Sequence, residues 1–138
     1  MRPAPILLDT CAAIWTTTGE AFSAEARQAI AEADAERIAV LVSPITAWEI
    51  GILVSRGRVA LAEDPKPWFG GLLESGLELA DLTPAILIES SFLPSSTLRD
   101  PADRILAATA RANGYRLMTR DRPLLDYGEA GWLKTVAC

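Results

Sequence analysis

Short apolar runs alternate along the chain with longer segments whose apolar residues recur at helical spacing. The first run, "PILLDT", is apolar until Asp9, as is typical of a central strand buried on both faces of a parallel sheet. Similar runs predict strands within 37–43, 77–82, 115–119 and 132–137. Helical spacing predicts helices within 11–17, 23–37, 43–57, 84–93 and 100–114.

This alternation of strand and helix predicts the fold class. The sequence shows no good hairpin signal, so consecutive strands are expected to run parallel, with helices covering both faces of the sheet. We therefore predict a single-domain α/β/α sandwich around a central, mostly parallel sheet of four to five strands. The 138 residues contain no internal repeat and no composition shift, so the domain is expected to span 1–138.

Several helix boundaries are marked by capping residues. Ser43-Pro44 and Asp100-Pro101 each pair a good N-cap with a proline suited to the first helical position. The segment 62–76 holds two prolines and a Gly-Gly pair, which predicts a connector with at most a short helix. The stretch "RPLLDY" is expected to form only a short turn.

Composition narrows the chemistry that the chain can perform. There is no histidine, which excludes Ser-His-Asp and Cys-His catalysis and His-ligated zinc. The two cysteines lack metal-binding spacing, and we expect Cys11 to be a small buried residue and Cys138 a loose terminal one. No apolar run approaches the ~20 residues of a membrane span and no signal-peptide pattern is present, so we expect a cytoplasmic protein without a membrane contact.

Charge is unevenly distributed along the chain. The net charge of -5 argues against broad non-specific nucleic-acid binding. Most acids, including Glu20, are expected on solvated helix faces or in connectors. The C-terminal part, in contrast, is rich in arginine, with residues Arg99, Arg104, Arg111, Arg116, Arg120 and Arg122. An acidic total can therefore conceal a local basic rim.

Four acids do not fit a simple surface role, and two of them end predicted strands. Asp9 follows the first strand and Asp121 follows the strand "YRLMT". Ligands of open parallel sheets bind beyond the carboxyl ends of central strands. The alternative for both residues is capping: Asp9, with Thr10 as a competitor, could cap the next helix, and Asp121 could cap the turn that follows it.

The other two acids lie on apolar helix faces. Glu49 has Ile45, Ile52 and Leu53 at helical spacing, so it points toward the core or a cleft, where it needs either a cation or a partner such as Arg56. In "DPADR", Asp100 already supplies the N-cap. Asp103 therefore projects from the buried side of the helix at its N-terminus.

If the strands of Asp9 and Asp121 are neighbours, all four acids converge on one crevice. Four close carboxylates cannot all stay ionised without compensation. Hard divalent cations with oxygen ligands, Mg²⁺ or Mn²⁺, would provide it. Such a site can activate water for hydrolysis of a phosphodiester without any histidine.

The stretches "ILLDTCAAIW", "SPITAWEIGILVSRGRV" and "DPADRILAATARANGYRLMTRDRPLLDY" resemble PIN-domain proteins, specifically the VapC-like ribonuclease toxins of type II toxin–antitoxin pairs. The resemblance covers nearly the whole chain. It assigns Asp9, Glu49, Asp103 and Asp121 as catalytic and metal-binding acids. It also assigns Thr119 as a supporting hydroxyl near the metal, and we place Thr10, next to Asp9, in the same supporting class.

The resemblance implies a Mg²⁺- or Mn²⁺-dependent endoribonuclease that forms a homodimer and is inhibited by a cognate antitoxin. Arg104, Arg120 and Arg122 are candidate contacts to RNA phosphates, with surface solubility as the alternative. The chain departs from many relatives at Cys11, where they carry His, and at Leu53 or Val54, where they carry Lys. These departures bear on substrate and partner preference.

Two other function classes remain open on the residues alone. A receiver domain or aspartyl phosphatase also places an aspartate at a strand end, but the first would need an acidic pair there and the second a D-x-D motif. Cys11 occupies the position of that second acid. A non-catalytic binding module would use the acids only to hold a structural metal or a partner's arginine. The helix 43–57 is apolar on more than one side, at Trp48, Ile50 and Val54, which suits either a partner surface or ordinary packing.

Overall fold

The computed structural model of the chain describes residues 2–19 and 21–138. The prediction for Glu20 therefore lies outside the described residues. The strands are β1 Ile6–Leu8, β2 Val40–Val42, β3 Glu78–Leu79, β4 Arg116–Thr119 and β5 Lys134–Ala137. The helices are α1 Thr10–Thr18, α2 Ala24–Glu36, α3 Pro44–Ser55, α4 Pro65–Glu74, α5 Pro84–Glu89, α6 Pro101–Asn113 and α7 Arg122–Glu129.

All five strands form one parallel sheet in the order β3-β2-β1-β4-β5. The chain fills one side of β1 first, with β2 and β3, and then returns to the other side with β4 and β5. The strand order thus reverses at β1, and the carboxyl ends of β1 and β4 flank this switch point. Open α/β sheets bind ligands at such points, because the connections leave on opposite faces and open a crevice there.

Two apolar clusters cover the two faces of the sheet. One contains Ile6 and Leu8 of β1 together with alanines of α1 and α2. The other contains Leu7, which points to the opposite face, together with Leu106 and the alanines of α6. The small alanine side chains let these helices approach the sheet closely. The predicted α/β/α class is thereby confirmed.

Two segments are more helical than the sequence predicts. The expected connector 62–76 contains the ten-residue helix α4, and the expected turn after Asp121 is the eight-residue helix α7. In α4, Pro65 takes the first helical position, and Trp68 and Leu72 are buried one turn apart. Burial of these two large side chains outweighs the weak helix propensity of the Gly-Gly pair, since tertiary packing routinely overrides propensity.

The expectation for the two cysteines is wrong in both parts. Cys11 is exposed and Cys138 is buried. Cys11 is the second residue of α1 and lies on its open side, whereas the chain end continues the β5 pairing. There the backbone N–H of Cys138 donates to the carbonyl of Thr119 at 3.0 Å. That hydrogen bond fixes the terminal residue against the sheet.

Candidate active site

The two strand-end acids lie side by side, because β1 and β4 are adjacent. Leu8 pairs with Met118, and the N–H of Asp9 continues the ladder by donating to the Met118 carbonyl at 3.1 Å. Asp121 follows two residues beyond the end of β4. The strands that precede Asp9 and Asp121 are therefore neighbours, which is the condition for the two acids to share one crevice.

Asp9 is the most deeply buried of the four acids, with 6% of its surface exposed. Its Oδ1 accepts from the Ala12 N–H at 2.7 Å and caps α1, while its Oδ2 accepts from the Thr119 hydroxyl at 2.6 Å. Asp9 is thus the helix cap that the alternative interpretation foresaw. Capping and a place in the acidic crevice coexist, since each carboxylate oxygen has a second lone pair.

Thr119 links the two strand-end acids. Its hydroxyl donates to Asp9 and accepts from the Asp121 backbone N–H at 3.0 Å. The Asp121 side chain in turn caps α7 by accepting from the Leu124 N–H at 3.1 Å. Thr119 is fully buried, so this hydroxyl holds the ends of β1 and β4 in one relative position.

Glu49 reaches the crevice from the middle of α3. It is partly buried, and its Oε1 accepts a hydrogen bond from the Thr10 hydroxyl. Within residues 2–19 and 21–138, Glu49 makes no ion pair, so the alternative partner Arg56 is not used. The Thr10 hydroxyl also contacts that of Thr46 at 3.1 Å.

Asp103 lies in the first turn of α6, as the capping argument predicts. Asp100 caps that helix, its Oδ1 accepting from the N–H groups of Ala102 at 2.8 Å and of Asp103 at 3.1 Å. The carboxylate of Asp103 has no hydrogen bond or ion pair to any residue that the structure describes. It is therefore the acid with the most freedom to bind something else.

Asp9, Glu49 and Asp103 each have a raised pKa. Burial is the main reason that the pKa of Asp103 rises to about 7, and the charges of Asp100, Asp121, Glu49 and Asp9 raise it further. Burial also raises the pKa of Asp9 and of Glu49, although the hydrogen bonds from Thr119 and Thr10 oppose the rise. Four carboxylates that repel one another in a partly dry crevice are a strong indication of a functional site.

Cys11 lies at the edge of the same crevice. Although the residue is exposed to solvent, its sulfur is partly desolvated, which raises the pKa of the thiol to about 11; the charges of Asp9, Glu49, Asp103 and Asp121 act in the same direction. A thiol in this field stays protonated at neutral pH. Cys11 is thus a poor nucleophile there, because the thiolate is the reactive form.

The donor set fits a hard divalent cation in its chemistry. It consists of carboxylate and hydroxyl oxygens, and a cation would offset both the burial and the mutual repulsion that raise the pKa values. Across residues 2–19 and 21–138, however, no three acidic or cysteine side chains are close enough to hold one ion together. A cation would therefore have to draw the carboxylates inward, with Asp103 the least restrained of them.

Two of the three arginines that we predict to contact RNA form hydrogen bonds to backbone carbonyls of the chain. Arg104 donates to the carbonyls of Ser90 at 2.8 Å and Leu98 at 2.6 Å. Arg120 stacks 3.9 Å above the centre of the Trp15 ring and donates to the carbonyl of Cys138. These contacts fix the loop before α6 and the chain terminus, both next to the acids.

The third arginine, Arg122, is exposed and forms ion pairs with Asp126 at 2.9 Å and Glu129 at 3.0 Å. Exposed ion pairs contribute little to stability, so Arg122 can exchange its partners for a phosphate at small cost. Its assignment as an RNA contact stays a prediction, as do those of Arg104 and Arg120.

Two residues were missed by the sequence reasoning. Thr46 is fully buried beside Thr10, and Tyr127 donates through its hydroxyl to the Pro94 carbonyl at 2.7 Å, within the loop that Arg104 also holds. Thr46 lies three residues before Glu49, on the same side of the helix. That spacing was the signal available in the sequence.

A parallel α/β sheet with acids from two strand ends and two helix faces at its switch point defines the class of the protein, an open α/β sheet whose candidate site lies at its carboxyl edge. The sequence agrees with this class, because residues 6–130 match the model of the PIN domain. The chain belongs to the PIN-domain family. It is also 36% identical over 123 residues to Ribonuclease VapC22 of Mycobacterium tuberculosis (strain ATCC 25618 / H37Rv), a match that covers 88% of this chain and 91% of the relative.

Solved structures share the fold at lower sequence identity. The fold of VapBC2 from Rickettsia felis, bound to a DNA fragment from its promoter, matches with a TM-score of 0.70 at 16% identity, covering 97% of this chain and 98% of that one. DNA-bound VapBC from Salmonella typhimurium matches with a TM-score of 0.65 at 19% identity, over 97% and 98% of the two chains. VapBC-5 from Mycobacterium tuberculosis matches with a TM-score of 0.60 at 19% identity, over 99% and 100%.

None of the helices in the described part of the chain has the length and apolar character needed to cross a membrane.

Proposed function

We propose that this chain is a Mg²⁺- or Mn²⁺-dependent endoribonuclease and the toxin of a toxin–antitoxin pair. The observation that carries the proposal is the set of four mutually repelling acids, Asp9, Glu49, Asp103 and Asp121, at the switch point of a PIN-domain sheet. The identity to a ribonuclease over most of both chains supports RNA as the substrate. The kinship of the fold to VapBC proteins is consistent with an antitoxin as the partner.

The four acids would hold the cation, with Thr10 and Thr119 supporting them. When bound, a divalent cation activates water as a nucleophile and neutralises charge that develops on the phosphodiester. The chain itself provides rigidity: Asp9 and Asp121 are fixed by their helix caps and by the Thr119 hydroxyl between them. Asp103 remains free to adjust, since its carboxylate makes no hydrogen bond or ion pair within residues 2–19 and 21–138.

We also propose that 1–138 forms one domain, since both apolar clusters share the strand β1.

We further propose that two copies of the chain associate through exposed apolar side chains. The exposed apolar side chains include Trp48 on α3 and Phe92 after α5, which are 55% and 79% exposed. Of the predicted surface on α3, Ile50 is buried in the core and Val54 is partly buried. Trp48 is therefore the strongly exposed member of that set.

The proposal is tested by replacing the free acid and its capping neighbour separately. We expect Asp103→Asn to reduce Mn²⁺-supported RNA cleavage by more than ~100-fold, since loss of even an outer-shell partner of a metal typically costs 10–100-fold. Asp100→Asn is the matched control, because asparagine caps a helix as well as aspartate does. It should retain most of the activity.

Expression of the active protein should arrest growth, whereas the Asp103→Asn variant should not. Equal cleavage by the unmodified protein and by Asp103→Asn would show that the acid set is assigned wrongly. Cleavage that persists in excess EDTA would instead exclude metal dependence.

A further inference from the structure

Thr46 is a fully buried polar residue whose hydroxyl contacts one other side chain, that of Thr10, in the described part of the chain. It occupies the third position of α3, one turn before Glu49. Thr109, the comparable buried threonine of α6, donates instead to the carbonyl one turn back, that of Ile105, at 2.8 Å. Thr46 makes no such bond to any residue that the structure describes, and its hydroxyl is directed out of its own helix toward Thr10 of α1.

The hydrogen bonds among these side chains have a defined direction. A hydroxyl has one proton to donate, and Thr10 donates its proton to the Glu49 carboxylate. The Thr10 oxygen is therefore an acceptor in its contact with Thr46, and Thr46 is the donor. The chain Thr46 → Thr10 → Glu49 is the one arrangement in which every proton has an acceptor while Glu49 is ionised.

We infer that Thr46 is a positioning residue for the acidic site. It fixes the rotamer of Thr10 and polarises its hydroxyl, and Thr10 in turn orients Glu49 toward the other acids. Donor chains polarise one another, so the Thr10–Glu49 bond is stronger with Thr46 behind it. The inference rests on the proposed function, because it gives Thr46 a role in binding the divalent cation.

The arrangement also connects two elements that contribute acids. Thr10 begins α1 immediately after Asp9, and Thr46 lies in the first turn of α3, ahead of Glu49. A contact between these two hydroxyls therefore sets how far apart Asp9 and Glu49 lie. Thr119 does the same between Asp9 and Asp121, so buried threonine hydroxyls brace three of the four acids.

The test compares Mn²⁺ binding, measured by titration of the EPR signal of free Mn²⁺, among four proteins. The Thr46→Val variant keeps the shape of the side chain and loses the donor, whereas Thr46→Ser keeps the donor. Thr109→Val is the matched control, since it removes an equally buried hydroxyl that touches only backbone. We expect Thr46→Val to bind Mn²⁺ several-fold more weakly, approaching the about tenfold loss that follows removal of a group in direct contact with a metal ligand.

Thr46→Ser and Thr109→Val should bind Mn²⁺ with nearly the affinity of the unmodified protein. A Thr46→Val protein that is folded and binds Mn²⁺ as tightly as the unmodified protein would overturn the inference. An equal loss in Thr109→Val would also overturn it, because the effect would then be one of general packing.

A double-mutant cycle separates this inference from the proposed function. Urea unfolding of the metal-free protein is measured for Thr46→Val, for Glu49→Ala and for both together. We expect Thr46→Val to destabilise the protein less when Glu49 is absent, since Thr10 then has no carboxylate at that position to donate to. Additive losses would overturn the inference. If the unmodified protein bound no Mn²⁺ at all, the nuclease proposal would fail, and the cycle alone would decide the role of Thr46.

Discussion

At the scale of single residues, some side chains both cap a helix and contribute to the acidic crevice. Asp9 and Asp121 both cap helices and both face the acidic crevice. Capping and function are therefore not alternatives here, because a strand that leads directly into a helix places its N-cap at the carboxyl edge of the sheet. Asp103 differs, since Asp100 performs the capping for α6.

The raised pKa of Asp103 predicts that the stability of the protein depends on pH. Its pKa rises from 3.8 to about 7 on folding, so between these values the folded protein binds more protons than the unfolded chain. Stability then falls as pH rises through this window. We expect the free energy of unfolding in EDTA, from urea titrations at pH 4.5 to 8, to fall less steeply in Asp103→Asn. Identical slopes in the two proteins would contradict a raised pKa at Asp103.

At the scale of elements, helix packing distances decide which glycines are needed. Gly128 of α7 packs so closely on β5 that an added Cβ would lie 2.7 Å from Thr135 Cγ2 and 3.3 Å from the Leu133 carbonyl oxygen. At Gly51 of α3, an added Cβ would meet no atom within 4 Å. The two glycines look alike in the sequence, and only their surroundings distinguish them.

Alanine substitutions at these two glycines should have opposite effects. Gly51→Ala should stabilise the protein by about 0.5–1 kcal/mol, because alanine favours the helix interior. Gly128→Ala should destabilise it by about 1–3 kcal/mol through overpacking against a stiff, β-branched neighbour. Urea denaturation of both variants measures the difference. Destabilisation by Gly51→Ala would indicate that its face of α3 is covered in solution.

At the scale of the whole molecule, the sheet unites the two apolar clusters. Alternate residues of β1 enter opposite clusters, Leu7 one and Ile6 and Leu8 the other, so neither cluster can form without the strand they share. The acidic crevice lies at the end of this strand. Its geometry therefore depends on the integrity of both layers.

This architecture predicts that the chain unfolds in one step. Calorimetry should show a single transition with an enthalpy of roughly 95 kcal/mol near 60 °C, from ~0.7 kcal/mol per residue. The calorimetric and van't Hoff enthalpies per monomer should agree, apart from any dependence on protein concentration that dimerisation introduces. Two resolved transitions at constant concentration would contradict a single domain over 1–138.

The sequence by itself determined the strands, the helices other than α4 and α7, the fold class and the four candidate acids. Apolar runs identified the strands because both faces of a parallel sheet are buried, and cap-proline pairs located α3 and α6. Asp103 stood out because its cap was already occupied. These are local signals, readable from neighbours within about two turns.

Only the tertiary structure decided which residues meet. The pairing of β1 with β4 joins residues 110 positions apart, as in the Thr119–Asp9 hydrogen bond, and no local pattern specifies that contact. The same holds for the contact between Thr46 and Thr10. It also holds for the backbone carbonyls to which Arg104 and Arg120 donate. The helix α4 likewise depends on burial of Trp68 and Leu72 against distant elements, which outweighs the local preference of its glycines.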